Sequence, residues 1–233
     1  MIVSRPEIPD VPDVSGEWYV HIVDAAAELP PAVRTAIEFA TDAVLLVYVT
    51  AFALLWWGAR TASAAAAARA LAAPAVTVLA FALSEVVKQE MAVDRPCRLL
   101  PTTTQIAQCP EFGDWSFPSN HATIAGAVAV AVLWSSLRLG LAVLMIAAAA
   151  AASRIVVGVH FPHDVVAGFL LGAAVAAALP TIARMVEPVV VRLRRRSFGG
   201  LLLGIGEAAP EAPTLRLPVP HRAMASRRSR RGG

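Results

Sequence analysis

Lysine is nearly missing from this chain: of its 20 basic residues only Lys88 is a lysine. Charge of either sign is scarce, at 16% of 233 residues where a soluble domain carries about 25%, and 57% of residues are hydrophobic. An ordinary water-soluble globule is excluded by that balance. Cysteine is limited to Cys97 and Cys109, too few to supply the second ligand pair of a structural zinc site, so no zinc is expected there. The first fifteen residues are acidic and proline-rich with no apolar h-region, so we expect no cleavable signal peptide there. Acidic residues thin out along the chain: fourteen of 17 lie at or before Asp164, whereas eleven of the 20 basic residues lie at or beyond Arg184. Such a basic tail suits nucleic acid or anionic lipid. Because the cluster Arg192 to Arg196 directly follows an apolar stretch, we read it as a positive-inside anchor and expect no nucleic-acid partner.

Long apolar runs are what the chain does have. Five cover roughly 40–59, 70–88, 121–137, 139–158 and 164–186, each near the ~20 residues a membrane helix needs. The expected fold is therefore all-α, a multi-pass transmembrane helix bundle of five clear spans. Residues 16–38, with Trp18, Tyr19, Val23 and scattered acids, read as an interfacial amphipathic helix, or a sixth span if they cross. Small residues such as Gly168, Gly172 and Ala173 suit close helix packing in lipid. This divides the chain into an N-terminal segment (1–38), a membrane core (39–188) and a basic, flexible tail (189–233). The Lys/Arg bias in short loops places the C-terminus in the cytoplasm and the 89–120 and 159–163 loops outside. Cys97 and Cys109, twelve positions apart in that outer loop, are read as a disulfide, with two free thiols as the alternative.

Three polar islands interrupt the apolar background, each at a span end: Lys88 to Arg95-Pro96, then Phe117-Pro118-Ser119-Asn120-His121, then Ser153-Arg154 running on to His160 and Asp164. Ionisable groups at membrane depth are costly and ask for a functional explanation. Phosphoryl transfer is mostly positioning and charge stabilisation, and it calls for several cationic donors converging on one point. Lys88, Arg95 and Arg154 are such donors; for Lys88 alone, a snorkelling end-of-span lysine is the bland reading. Ser119 opens a helix whose free N–H groups form an anion site, although it also suits a plain N-cap. His121 in the first helical turn is poor for capping and sensible as a proton donor. His160 and Asp164, four apart, lie on one helix face, so the carboxylate can orient the imidazole as nucleophile or base, or Asp164 simply caps the fifth span. His163 is read as a loop residue outside the chemistry.

These residues resemble the type 2 phosphatidic acid phosphatase superfamily. Lys88 with Arg95-Pro96 matches its first motif, and Ser153-Arg154, His160 and Asp164 match its third at the same spacing. Pro118, Ser119 and His121 match the second, which carries Asn120 where the family has glycine. The resemblance implies a membrane hydrolase acting on a lipid phosphate with no metal and no cofactor. His160 would be the nucleophile, Asp164 its orienting partner and His121 the general acid, with Lys88, Arg95, Ser119 and Arg154 binding the phosphoryl oxygens. A polyprenyl diphosphate is the expected substrate, with phosphatidate or phosphatidylglycerol phosphate as alternatives. Related readings are a lipid phosphotransferase using the same site and, from another class, a non-catalytic lipid-binding protein. The soluble vanadate-dependent haloperoxidases share such sites, but the spans argue against them.

Overall fold

The computed structural model of the protein describes residues 11–100, 103–195 and 203–204. All its elements are helical: α1 (Asp13–Ala27), α2 (Pro31–Ala59), α3 (Ala64–Met91), the single turn α4 (Pro96–Leu99), α5 (Asn120–Ser135), α6 (Leu137–Val156), α7 (Pro162–Ala177) and α8 (Leu179–Arg194). Proline sets several starts, because its missing N–H costs nothing in a first helical turn: Pro31, Pro96 and Pro162 each occupy one. Ser63 caps α3 by accepting from the Ala66 N–H at 3.3 Å. That helix ends at Ala92, which takes a left-handed φ of 45° and donates back to the Lys88 carbonyl at 3.1 Å.

α2, α3 and α6 are long and apolar enough to cross a bilayer, and α7 with α8, bent by about 40° at their junction, make a fourth candidate. The fifth expected span is α5, which at 16 residues is only about 24 Å long and short of a typical hydrocarbon core. Its role is central rather than lipid-facing, since Ala122, Ala125, Ala127, Val128, Ala129, Ala131 and Val132 are all fully buried. The expected helix over 16–38 is really two elements. Pro30 and Pro31 break it, and residues 31–38 are the start of α2. α1 packs on the bundle, with Tyr19 and Val23 fully buried in a cluster with Leu100 and Phe161. The expected tail also starts too early. Residues 189–194 belong to α8, where Arg194 donates to the carbonyls of Ala59 (2.8 Å), Ala62 (2.9 Å) and Leu203 (3.2 Å). It thereby caps the C-terminal end of α2. Most of the remaining tail lies outside the described residues.

α5 packs chiefly on α7 and α6, then on α3. Its crossing with α7 leaves no room for side chains. A Cβ on Gly172 would stand 1.9 Å from the Thr123 carbonyl oxygen, one on Gly168 2.4 Å from that of Ser119, and one on Gly126 2.1 Å from that of Phe169. This small-residue contact sets the two backbones at near-minimal separation, the usual way helices associate where lipid removes the hydrophobic driving force. It also fixes the relative height of the two helix N-termini, and the Ser119 N–H donates to the Asp164 carbonyl at 3.1 Å. Gly172→Val should therefore push α5 from α7 and destabilise the fold by about 1–3 kcal/mol. A thermal unfolding midpoint in detergent equal to that of the parent protein would contradict this packing.

Candidate active site

All seven residues singled out in the sequence meet at one end of the bundle. They arrive on five elements: Lys88 from the last turn of α3, Arg95 immediately before α4, Ser119 and His121 from the start of α5, Arg154 from the last turn of α6, and His160 and Asp164 from the loop and first turn of α7. Lys88, Arg95, Ser119, His160 and Asp164 are nearly or wholly buried. Lys88 is 2% exposed, so it does not snorkel into solvent.

Asp164 is the best-connected of these groups. Its Oδ2 accepts from Ser116 Oγ at 2.5 Å and from the Phe161 N–H at 2.8 Å, and it lies 3.6 Å from His160 Nδ1. The two roles expected of this carboxylate thus coexist, since it caps α7 through Phe161 and faces the imidazole. Ser116, fully buried, closes the remaining gap: its Oγ is 3.4 Å from His160 Nδ1. With Nδ1 turned to Ser116 and Asp164, the reactive face of His160 is Nε2, which sits 3.2 Å from Arg95 NH1. Burial, with the Arg95 charge acting in the same direction and Asp164 against it, pushes the His160 imidazole down to about 4, so it stands neutral at physiological pH.

His163 is not a loop residue. It occupies the first turn of α7, with Nδ1 2.7 Å from Ser15 Oγ and Nε2 3.1 Å from Asp164 Oδ1. The latter contact has ion-pair distance but no hydrogen-bond geometry, because Asp164 Oδ1 has no hydrogen-bond partner among the described residues. His163 ties α1 to the carboxylate and stays out of the cation cluster.

The cations are held from outside the motifs. Asp114 Oδ1 lies 3.1 Å from Lys88 Nζ and 2.8 Å from Arg95 NH2. Burial works to raise the Asp114 carboxyl, but the Arg95 hydrogen bond and charge, with Lys88, prevail and hold it below the usual carboxylate range. Arg95 is also fixed by main-chain carbonyls, from Nε to Asp114 O at 2.8 Å and from NH1 to Val159 O at 3.0 Å. On the other flank Asp42 of α2 reaches both His121 Nε2 (3.3 Å) and Arg154 NH1 (3.4 Å). Ser119 occupies the N-cap position without capping; its Oγ and Arg154 Nε are buried and have no hydrogen-bond partner among the described residues. Asn120 takes the place of the family's glycine, and its amide bonds Glu85 and Ser84 on α3. A disulfide joins Cys97 to Cys109 and ties down the loop that carries Asp114 and Ser116.

Asp42, Asp114 and Ser116 were not among the expected residues. Asp42 had a legible signal, as a lone acid in the first apolar run. Asp114 and Ser116 look like ordinary loop residues in sequence, and only folding shows what they touch.

A model described as "PAP2 superfamily" matches residues 69–187, the stretch holding every candidate residue. An undecaprenyl-diphosphatase of Sulfolobus acidocaldarius is 40% identical over 96 residues, which is 41% of this chain and 46% of that protein; the chain thus matches under half the length of that relative. The crystal structure of a transmembrane PAP2-type phosphatidylglycerolphosphate phosphatase from Bacillus subtilis superimposes with a TM-score of 0.56 at 20% identity, over 75% of this chain and 89% of that one. At that identity the likeness is one of fold.

The geometry generates two expectations. Ser116→Ala removes a hydrogen bond to a buried carboxylate, worth about 1.5–3 kcal/mol, so kcat should fall about 10- to 100-fold with KM little changed; an unchanged kcat would show that Ser116 orients nothing. For pH, a His160 whose folded value is lowered loses its proton as pH rises through about 4, so the neutral form is complete by neutral pH. The acid limb of kcat/KM should accordingly fall near pH 4, and a limb centred on the ordinary histidine value of about 6.5 would contradict the burial argument.

Proposed function

The chain belongs to the PAP2 superfamily, and on that premise we propose that it is an integral-membrane phosphatase that hydrolyses a lipid phosphate or diphosphate through a phosphohistidine. The carrying observation is the convergence of a buried His160 with three cationic side chains and a second histidine at one end of an apolar bundle. His160 Nε2 attacks the terminal phosphorus, the bond from that phosphorus to the leaving oxygen breaks (the lipid oxygen of a monophosphate, the bridging oxygen of a diphosphate), and His121 gives that oxygen its proton. Water then attacks the phosphohistidine, passes a proton to His121, and releases inorganic phosphate. Asp164 and Ser116 hold the Nδ1 proton of His160 throughout, as an orienting carboxylate does in other covalent mechanisms. Lys88, Arg95 and Arg154, with Ser119 Oγ, take the phosphoryl oxygens. Side-chain cations thereby supply the charge that a metal supplies elsewhere.

A polyprenyl diphosphate is the favoured substrate. Support comes from the Sulfolobus relative, an undecaprenyl-diphosphatase by name, and from the Phe117-Pro118-Ser119-Asn120-His121 sequence. The arginine bias of the loops supports a catalytic end outside the membrane and a cytoplasmic C-terminus. Five crossings follow if α5 and the bent α7–α8 pair each span.

Phosphate release by the purified protein in detergent with EDTA, from undecaprenyl pyrophosphate, phosphatidate and phosphatidylglycerol phosphate, tests the reading. Release from one lipid, reduced more than about a hundredfold in His160→Ala, is the expected result. A folded His160→Ala protein of near-parental activity would rule out the covalent route, and no release from any lipid would rule out the phosphatase.

A further inference from the structure

Three carboxylates face the mouth of the site from three elements: Asp42 on α2, Glu85 on α3 and Asp114 in the 103–119 loop, with side chains 70%, 39% and 49% exposed. Each touches a group assigned to phosphate handling. Asp114 differs from the others because one oxygen sits between two cations, 3.1 Å from Lys88 Nζ and 2.8 Å from Arg95 NH2. Those are the distances a phosphoryl oxygen would take. Lys88 is otherwise enclosed, its only other carboxylate among the described residues being Glu85 at 3.8 Å. Arg95 does not need the Asp114 carboxylate to stay in place, because its Nε and NH1 are anchored on the main-chain oxygens of Asp114 and Val159. The carboxylate therefore competes with a phosphate for Lys88 and Arg95, and being half exposed it has water to swing into.

We propose that Asp114 sets an affinity threshold for the site: it is the resident anion between Lys88 and Arg95 that a ligand must displace, and the phosphodiester headgroups of the surrounding bilayer bind too weakly to displace it. Displacement costs the same whatever the ligand. A terminal phosphate or diphosphate end brings nearly two charges on three free oxygens and meets that cost, whereas a phosphodiester brings one charge on two free oxygens and falls short. The effect is a threshold on ligand charge, and it matters because diester lipids vastly outnumber any substrate in a membrane. The inference rests on the phosphate-binding role proposed above for Lys88 and Arg95.

Calorimetric titration of the detergent-solubilised protein tests it, with tungstate as a dianion and dimethyl phosphate as a monoanionic diester. Asp114→Asn should bind tungstate about fivefold or more tightly than the parent, and dimethyl phosphate should gain by a similar factor. Glu111→Gln, which removes an equal charge from the same loop, should change neither by as much as twofold. In mixed micelles, phosphatidylglycerol should inhibit lipid-phosphate turnover by Asp114→Asn and not by the parent. Unchanged or weaker tungstate binding by a folded Asp114→Asn protein would overturn the proposal and make the carboxylate a tether. An equal gain in Glu111→Gln would overturn it in favour of a general charge effect, and no gain for dimethyl phosphate would overturn the threshold against diesters. Tighter tungstate binding in a protein that releases phosphate from no lipid would support the role of Asp114 while removing the phosphatase reading.

Discussion

Where α5 and α7 cross, main chain lies against main chain because Gly126, Gly168 and Gly172 carry no side chain to keep them apart. The chemistry depends on that contact. It brings the N-terminal ends of two helices side by side, so that Ser119 at the head of one meets Asp164 at the head of the other, joined by a hydrogen bond from the Ser119 N–H to the Asp164 carbonyl. Helix N-termini favour negative charge, and here two lie side by side. The remaining parts are added around this pair, with α3 bringing Lys88 and α6 bringing Arg154.

Asp164 shows how few atoms do several tasks at once. One oxygen closes the first turn of α7, receives the Ser116 hydroxyl and faces His160; the other lies against His163. Helix capping and imidazole orientation are therefore one device, and neither can be altered alone. The site's charges are similarly matched, with carboxylates from α2, α3 and the 103–119 loop set against the buried cations. Buried charge is tolerable only when paired, and this pairing lets the cations persist in an apolar bundle.

Much of this was legible in the amino-acid sequence because ionisable residues stand out against apolar runs. Lys88, Arg95, Arg154, His121, His160 and Asp164 were found from that contrast and from spacing, and the structure brings them together. Gly168 and Gly172 were noticed as small residues, though not the partner they meet. What stayed hidden depends on tertiary contact. Asp114 and Ser116 lie among turn-forming residues, and nothing local says that one will bridge two cations and the other a histidine and a carboxylate. Breaks were misplaced where local and global signals conflict. Pro30-Pro31 splits the N-terminal helix although the amphipathic pattern runs through it, and α7 bends into α8 although apolar residues continue past Ala178. Arg194 was counted as one more charge of a basic tail, yet it spends its donors on the carbonyl end of α2.

α2 begins at Pro31, and Asp42, its contact with the site, comes eleven residues later. At 1.5 Å per residue the helix runs on for about 16 Å past the level of the chemistry. Asp42 therefore meets His121 and Arg154 from within the helix, about three turns in from its first residue, where its position is held by the backbone on both sides rather than by a fraying helix end.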